Sequence, residues 1–205
     1  MQERKRGGEV PREKREIRST SIDNWKVEAI TAEGGNDDEL IIEGYAAVFN
    51  VLTKIESYNG EVFLEKISPK AFNNTNFKNV PLKYNHSNDY PLLASTRNGS
   101  LVLEADDKGL KIKANLLNTQ EARDMVARVK AGLISTMSFA FTVADARKTV
   151  GADNITIREI TNIDQVYDVS LVDMAAYEQT SVSARSYEHI KKESMRILVA
   201  RWSNE

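Results

Sequence analysis

The sequence predicts a β-rich α+β fold, a closed or partly open β-barrel decorated by helices, and three observations lead to this prediction. Many short segments alternate apolar and polar residues, as strands with one buried face do. Turn-forming residues separate these segments, and only one internal stretch has clear helical spacing. The 205 residues are enough for one domain with a sizeable core.

Composition narrows the classes of function. Hydrophobic residues make up 41% and charged residues 28% of the chain, which is ordinary for a globular protein. The net charge of -2 gives no reason to expect a nucleic-acid partner. There is no cysteine, which excludes disulfides, thiolate metal sites and cysteine nucleophiles. No apolar run approaches the ~18 residues of a transmembrane helix, and the N-terminus lacks the apolar core of a signal peptide. We therefore expect a soluble cytoplasmic protein without a membrane partner.

The two ends of the chain differ from its middle. Residues 1–22 mix acidic and basic side chains with almost no apolar content, which predicts a flexible charged tail. Residues 186–205 predict an amphipathic helix whose apolar face needs a partner surface. That surface belongs either to the folded domain, residues 23–185, or to a second subunit. We favour self-association, and thus a homo-oligomer.

The first half of the domain predicts strands separated by turns. Gly44 within one of them suggests a bulge or a bend. Ser68 and Pro69 suit the N-cap and first position of a short helix. A turn at residues 107–109 predicts a hairpin between the last two strands. In order, these strand segments are "WKVEAITAE", "LIIEGYAAVFNV", "EVFLEK", "VPLKYNH", "SLVLEA" and "LKIKANLL".

One internal helix follows, and then three further strands. Asn118 can cap the helix, Glu121 completes a pattern like a capping box, and Gly132 ends it. Four residues at helical spacing predict its buried face: Ala122, Met125, Val126 and Val129. The strands are predicted in "SFAFTV", "NITIREI" and "QVYDVSLV".

Ser138 is a hydroxyl residue that opens the apolar strand "SFAFTV". Alternation puts the aromatic residues on one face and Ser138 with its small neighbours Ala140 and Thr142 on the other. The serine either fills a tight space or is a nucleophile that small neighbours keep accessible.

The chain has two histidines, and they differ in setting. His189 lies in the charged C-terminal segment and is predicted to be a surface residue. His86 ends "VPLKYNH", where alternation puts it on the strand face of Leu82 and Tyr84, at the point where strand becomes loop. It is either a solvent-facing side chain or a functional imidazole.

Asp168 is a carboxylate within the apolar strand "QVYDVSLV". Alternation puts it on one face with Val166, Ser170 and Val172. Burying a carboxylate is costly unless it is paired or hydrogen-bonded. Asp168 therefore either makes a structural hydrogen bond or belongs to a site.

Together these three residues have the chemistry of acyl transfer. A serine hydroxyl becomes an effective nucleophile when a neutral imidazole takes its proton, and a carboxylate can hold that imidazole in the required tautomer. The order His86, Ser138, Asp168 differs from that of chymotrypsin-like enzymes and of α/β-hydrolases, and no G-x-S-x-G motif surrounds Ser138. The scattered histidines and carboxylates have no metal-ligand spacing, so we expect neither a metal nor a cofactor.

Five segments resemble, in order, the prohead proteases of tailed bacteriophages over roughly residues 40–185. They are "EGYAAVFN", "EVFLEKISPKAF", "VPLKYNHS", "GLISTMSFAF" and "VYDVSLVDMAAYEQTSVSAR". The resemblance implies a serine peptidase with a fold like that of herpesvirus assemblins. It assigns the catalytic histidine to His86, the nucleophile to Ser138 rather than Ser135, and the third member to Asp168. The family usually has glutamate at this last position.

The resemblance also implies a substrate and a place of action. It predicts a serine endopeptidase that cleaves the scaffold segment of the capsid protein, other head proteins and itself, inside the assembling prohead in the host cytoplasm. Two alternatives remain at this point: a non-enzymatic capsid-assembly module with the same fold, and an unrelated serine esterase or amidase.

Overall fold

The computed structural model of the chain describes residues 15–20, 28–30, 40–57, 60–151 and 154–173. Within these ranges the chain forms eleven strands and one α-helix, so the predicted β-rich α+β class is confirmed. The predicted C-terminal helix at residues 186–205 and most of the predicted tail lie outside the described residues.

The bounds of the strands follow chain order. They are β1 (Glu16–Thr20), β2 (Glu28–Ile30), β3 (Leu40–Val48), β4 (Thr53–Glu56), β5 (Val62–Ile67), β6 (Pro81–Tyr84), β7 (Ala94–Ser95), β8 (Leu101–Ala105), β9 (Gly109–Leu116), β10 (Thr136–Val150) and β11 (Thr156–Val172).

The strands form two sheets with the hydrophobic core between them. The larger sheet has the order β1-β10-β11-β5-β4, with β6 added to a second part of β11 and β7 added to β6. The smaller sheet has the order β2-β3-β9-β8. Strand β3 contacts β1 and β10, and β7 contacts β8 and β9, so the sheets pack face to face. Neither sheet closes on itself among the described residues, so the closed form of the predicted barrel is wrong and both sheets are open.

Strand β9 shows why apolar alternation produces this core. Its apolar side chains point inwards, and the intervening Lys111 and Lys113 point outwards. Both lysine Nζ atoms lie 3.3 Å from the carboxylate of Glu43 on β3. Such exposed ion pairs contribute about 0–1 kcal/mol each, so burial rather than charge holds the strand in place. The buried residues of β9 are Leu110, Ile112, Ala114 and Leu116.

The helix α1 (Gln120–Lys130) has the predicted buried face and the predicted end. Gly132 adopts φ 73°, and its N–H donates to the carbonyl of Val129, while the N–H of Leu133 donates to that of Arg128. These two bonds form a Schellman motif, which needs a left-handed residue such as glycine. The predicted cap is one residue too early, because the Thr119 hydroxyl accepts the N–H of Ala122 instead.

Two local predictions in the first half of the domain are wrong. Residues 69–74 form turns rather than a short helix. The carbonyl of Ala71 accepts the N–H of Ile163 on β11, so a bond to the sheet replaces helical continuation. The bulge predicted at Gly44 lies between Tyr45 and Ala47, because the register of β3 with β9 shifts there.

Strands β10 and β11 form a long antiparallel pair that carries most of the site. The segments "NITIREI" and "QVYDVSLV", predicted as two strands, belong to the single strand β11. Four register shifts along the pair keep it continuous, since each bulge absorbs an extra residue without a turn. Bulges of this kind bend a strand locally and increase its twist.

Residues 16–20, which we predicted to belong to the flexible tail, form strand β1. This strand pairs antiparallel with β10, and Ser19 lies opposite Ser138. The physical reason is twofold: the edge of β10 offers unpaired backbone groups, and the charges of β1 have partners on the sheet. Glu16 pairs with Arg158, and Arg18 pairs with Glu65. The prediction of a flexible tail, which was based on charge content, is therefore wrong for residues 16–20.

Candidate active site

Ser138 and Asp168 are brought to one face of the sheet by the pairing of β10 with β11. Ser138 lies opposite Ser170, and Ala140 lies opposite Asp168. Directly opposed residues of an antiparallel pair point to the same face. All four side chains therefore lie on the face opposite to the aromatic side chains of β10, as alternation predicted for Ser138 and Ala140.

A bulge beside Asp168 changes one predicted neighbour. Asp168 pairs with Ala140 but Val166 pairs with Phe141, so Tyr167 is an extra residue on β11. Phe141 and Val166 belong to the hydrophobic core, which lies on the other face. The prediction that Val166 shares the face of Asp168 is therefore wrong, because one inserted residue reverses the alternation.

His86 reaches this face from a turn and not, as predicted, from the end of a strand. Strand β6 ends at Tyr84, and Asn85 and His86 both have left-handed backbones with φ of 50° and 55°. This conformation costs roughly 1–2 kcal/mol per residue outside glycine. Contacts with β11 hold the turn: the N–H of Asn85 donates to the carbonyl of Leu171, and the N–H of His86 donates to the Ser170 hydroxyl. Such held strain is common at functional sites.

The parallel pairing of β6 with β11 sets the position of this turn. Lys83 lies opposite Ser170, and Tyr84 lies opposite Leu171. The turn that follows Tyr84 therefore lies next to the end of β11 that carries Asp168. A histidine 82 positions before Asp168 in the chain becomes its direct neighbour in this way.

The three predicted residues form a continuous chain of hydrogen-bonding atoms. His86 Nε2 lies 2.7 Å from Ser138 Oγ, and His86 Nδ1 lies 2.6 Å from Asp168 Oδ1. The imidazole thus bridges the hydroxyl and the carboxylate with one ring nitrogen towards each. With Nδ1 protonated and Nε2 neutral, the ring can accept the serine proton while the carboxylate holds its tautomer.

Ser170 also belongs to this cluster, and the sequence analysis did not assign it a role. Its hydroxyl donates to Asp168 Oδ1 over 3.0 Å and accepts the N–H of His86 over 3.2 Å. It therefore links the backbone of the histidine turn to the carboxylate. The signal was present in the sequence, since Ser170 lies two residues after Asp168 on the same predicted face.

The cluster is shielded from solvent. The exposed fraction of Ser138 is 0%, and Asp168 and Ser170 are also buried. Strand β1 contributes to the shielding of the serine, because Ser138 Oγ donates to the carbonyl oxygen of Arg18 over 3.0 Å. Low local polarity strengthens each electrostatic contact within the cluster.

Two further findings concern metal binding and membranes and refer only to the part of the chain that the structure describes. There, no three histidine, aspartate or glutamate side chains come close enough together to hold a metal ion. Within the same residues, no helix has the length and apolar content needed to cross a membrane.

Comparison with known families agrees with the chemistry of this cluster. A family model described as the caudovirus prohead serine protease matches residues 25–193. The chain belongs to this family. The protein is therefore a serine peptidase of phage capsid maturation, and the predicted family is confirmed. Membership in a protease family favours this function over the esterase and the non-enzymatic module. Comparison of this chain with curated proteins and with solved structures gave no match.

Proposed function

We propose that this prohead protease is an endopeptidase that cleaves the scaffold segment of the capsid protein, other head proteins and itself. The main support for the proposal is the pair of short contacts that the His86 ring makes, one with Ser138 Oγ and one with Asp168 Oδ1. Its place of action is the interior of the assembling prohead in the host cytoplasm, where enzyme and substrate are enclosed together.

In the proposed reaction, Ser138 is the nucleophile and His86 the general base. Ser138 Oγ adds to the carbonyl carbon of the scissile peptide bond as its proton moves to His86 Nε2. The imidazolium then gives this proton to the leaving amine, the C–N bond breaks, and an acyl-enzyme remains. Water, deprotonated by the same imidazole, releases the acid and restores the serine. Asp168 stabilises the imidazolium through Nδ1.

The proposed function is tested by combining the enzyme with its natural substrate. Co-expression with the capsid-protein precursor of the same virus should yield a shortened capsid protein, which intact-protein mass spectrometry detects. Turnover of a matched peptide and ester series distinguishes a peptidase from an esterase. A capsid precursor that stays full-length beside well-folded enzyme, with ester turnover alone, would refute the peptidase function.

Asp168→Asn should lower kcat/KM by about 10³–10⁴-fold, since an amide next to Nδ1 favours the wrong imidazole tautomer. We expect a smaller loss than for replacement of Ser138, because the family usually has the longer glutamate here. Steady-state cleavage of the capsid precursor measures the effect. Asp173→Asn, which changes an aspartate that contacts Tyr84 outside the cluster, is the matched control. Equal activity of Asp168→Asn and wild type would reduce Asp168 to a structural role.

We also propose that the fold is related to that of the herpesvirus assemblins. The support is the resemblance of five ordered segments to prohead proteases, which implies this fold, together with a β-rich architecture in which a strand carries the serine and a turn carries the histidine. A crystal structure superposed on an assemblin tests this relationship. Coincidence of strand order around the nucleophile would support it, and a different order would refute it.

Self-association is the remaining part of the proposal. If residues 186–205 form the predicted amphipathic helix, its apolar face would include Ile197 and Trp202 and would need a partner, for which we propose a second copy of the chain. Purified protein should therefore sediment as a species larger than a monomer. Replacing Ile197 and Trp202 by serine should return it to a monomer. A monomeric wild-type protein over the concentration range of assembly would contradict this prediction.

A further inference from the structure

Strand β1 lies where a substrate of Ser138 would have to lie. It pairs with β10 at the edge of the larger sheet, with Ser19 opposite Ser138 and Arg18 opposite Phe139. An extended peptide that adds a strand to such an edge is a common mode of peptide recognition. In the present arrangement, the place beside the nucleophile is filled by residues 16–20 of the chain itself.

The carbonyl group of Arg18 lies in direct contact with the Ser138 hydroxyl. Its oxygen accepts a hydrogen bond from Ser138 Oγ over 3.0 Å, while the same Oγ lies 2.7 Å from His86 Nε2. A hydroxyl has a single proton, so it cannot donate to both partners at once. The carbonyl group that contacts the nucleophile belongs to the peptide bond that joins Arg18 to Ser19.

The side chain of Arg18 lies on the same face of the sheet as Phe139 and contacts a buried carboxylate. Its guanidinium donates to both carboxylate oxygens of Glu65, one of these bonds being 3.0 Å long. Glu65 lies on β5 and is only 3% exposed. A two-pronged contact of this kind fits the planar guanidinium well and is selective for a basic side chain.

A second charge on β1 has an equally specific partner. The carboxylate oxygens of Glu16 accept two hydrogen bonds from Arg158 on β11, over 2.7 and 2.8 Å. Burial acts to raise the pKa of Glu16, but its bonds to Arg158 and Arg18 outweigh burial and hold the pKa below its ordinary value. Arg158 also donates to Glu65 over 2.9 Å, so the two subsites form one network.

We propose that β1 occupies the substrate groove and that a substrate strand takes its place on β10, with an arginine against Glu65 just before the cleaved bond. Glu65 is then the specificity-determining residue, and Arg158 selects an acidic residue two positions earlier. This inference rests on the proposed function, because it specifies the substrate that Ser138 attacks. It also makes β1 the first substrate, cleaved between Arg18 and Ser19.

The self-cleavage step follows the proposed mechanism. Ser138 Oγ bonds to the carbonyl carbon of Arg18, the bond to the nitrogen of Ser19 breaks, and that amine leaves with the proton from His86. Hydrolysis of the acyl-enzyme releases a segment that ends in the carboxylate of Arg18. The edge of β10 and the carboxylate of Glu65 then become available to another chain.

The first experiment follows the N-terminus of the full chain. Wild-type protein incubated after purification should accumulate a form that begins at Ser19, identified by intact mass and N-terminal sequencing. Arg18→Lys should retain cleavage at this bond, whereas Arg18→Gln should slow it by at least ~30-fold, the lower range for loss of a buried charged partner. Cleavage that is equally fast in Arg18→Gln would overturn the proposal.

The second experiment tests Glu65 with peptides added to the full chain. A peptide copying residues 13–24, EKREIRSTSIDN, should be cut after its second arginine, which corresponds to Arg18, with a kcat/KM at least ~30-fold above that of the Arg18→Gln peptide. Glu65→Gln should remove this preference by slowing only the arginine peptide. Glu159→Gln, which changes a more exposed glutamate paired with Lys66 across the same two strands, should preserve it.

Processing of the capsid precursor separates failure of this inference from failure of the proposed function. If Ser138-dependent processing occurs but the arginine peptide has no advantage, or the preference survives Glu65→Gln, the specificity proposal is wrong and the peptidase function stands. If neither precursor nor peptide is cleaved by folded protein, both are refuted. If Glu65→Gln fails to fold, the Arg18→Gln chain and peptides decide the proposal alone.

Discussion

Ser138→Ala should abolish maturation of a co-expressed capsid precursor, with a loss in kcat of about 10⁴–10⁶-fold. The reason is that Oγ is the atom positioned 2.7 Å from the proposed base, and alanine leaves nothing to form the acyl-enzyme. The fold should survive, since one lost hydroxyl of this kind costs about 1 kcal/mol. Intact mass of the capsid protein and a thermal unfolding curve of the variant measure the two effects.

Ser135→Ala is the matched control for this result. Ser135 precedes β10 by one residue and lies three positions before Ser138, in the same "STMS" segment. The Ser135→Ala enzyme should process the capsid precursor at close to the wild-type rate. If Ser135→Ala stops processing and Ser138→Ala does not, the nucleophile has been assigned to the wrong serine.

His86→Ala should cause a loss of similar size, about 10⁴–10⁶-fold in kcat. Without the imidazole, no group in the proposed mechanism takes the proton from Ser138 Oγ or returns it to the leaving amine. The measurement is the single-turnover rate of capsid-precursor cleavage, which is independent of product release. A substantial fraction of wild-type activity in His86→Ala would mean that another group acts as the base.

His189→Ala is the matched control, because it makes the same substitution at the other histidine of the chain. Its activity should stay close to that of wild type. Stability of His86→Ala needs a separate thermal measurement, since His86 adopts a left-handed backbone in a strained turn. Histidine is enriched among non-glycine residues with positive φ and alanine is not, so some loss of stability is expected from the backbone alone.

Much of the site could be predicted from sequence because its residues lie in ordered local patterns. Alternation in "SFAFTV" correctly separated Ser138 from the aromatic core residues, as the buried Phe139 and Phe141 show. The segment resemblance named His86 and Asp168, whose roles stay predictions although both now lie within hydrogen-bonding distance of their expected partners. Local patterns do not predict the distances among Ser138, His86 and Asp168, because the pairing of β6 and β10 with β11 sets these distances.

The sequence missed features that depend on interactions between distant segments. It assigned Arg18 and Glu16 to a tail because residues 1–22 are mostly charged or polar and have few apolar side chains. Their partners, Glu65 and Arg158, lie 47 and 142 positions away, and a buried charge is acceptable only when such partners are present.

By itself, the sequence determined the β-rich class, the buried face and glycine end of the helix, and the family, because each depends on periodicity or on short ordered segments. Only the tertiary structure decided that neither sheet closes among the described residues, that Tyr167 forms a bulge which turns Val166 away from Asp168, and that residues 16–20 cover Ser138. The physical reason is that strand register and edge pairing are chosen by the summed contacts of whole strands. An inserted residue or a distant counter-charge changes that sum, but the local alternation of apolar and polar residues does not reveal either of them.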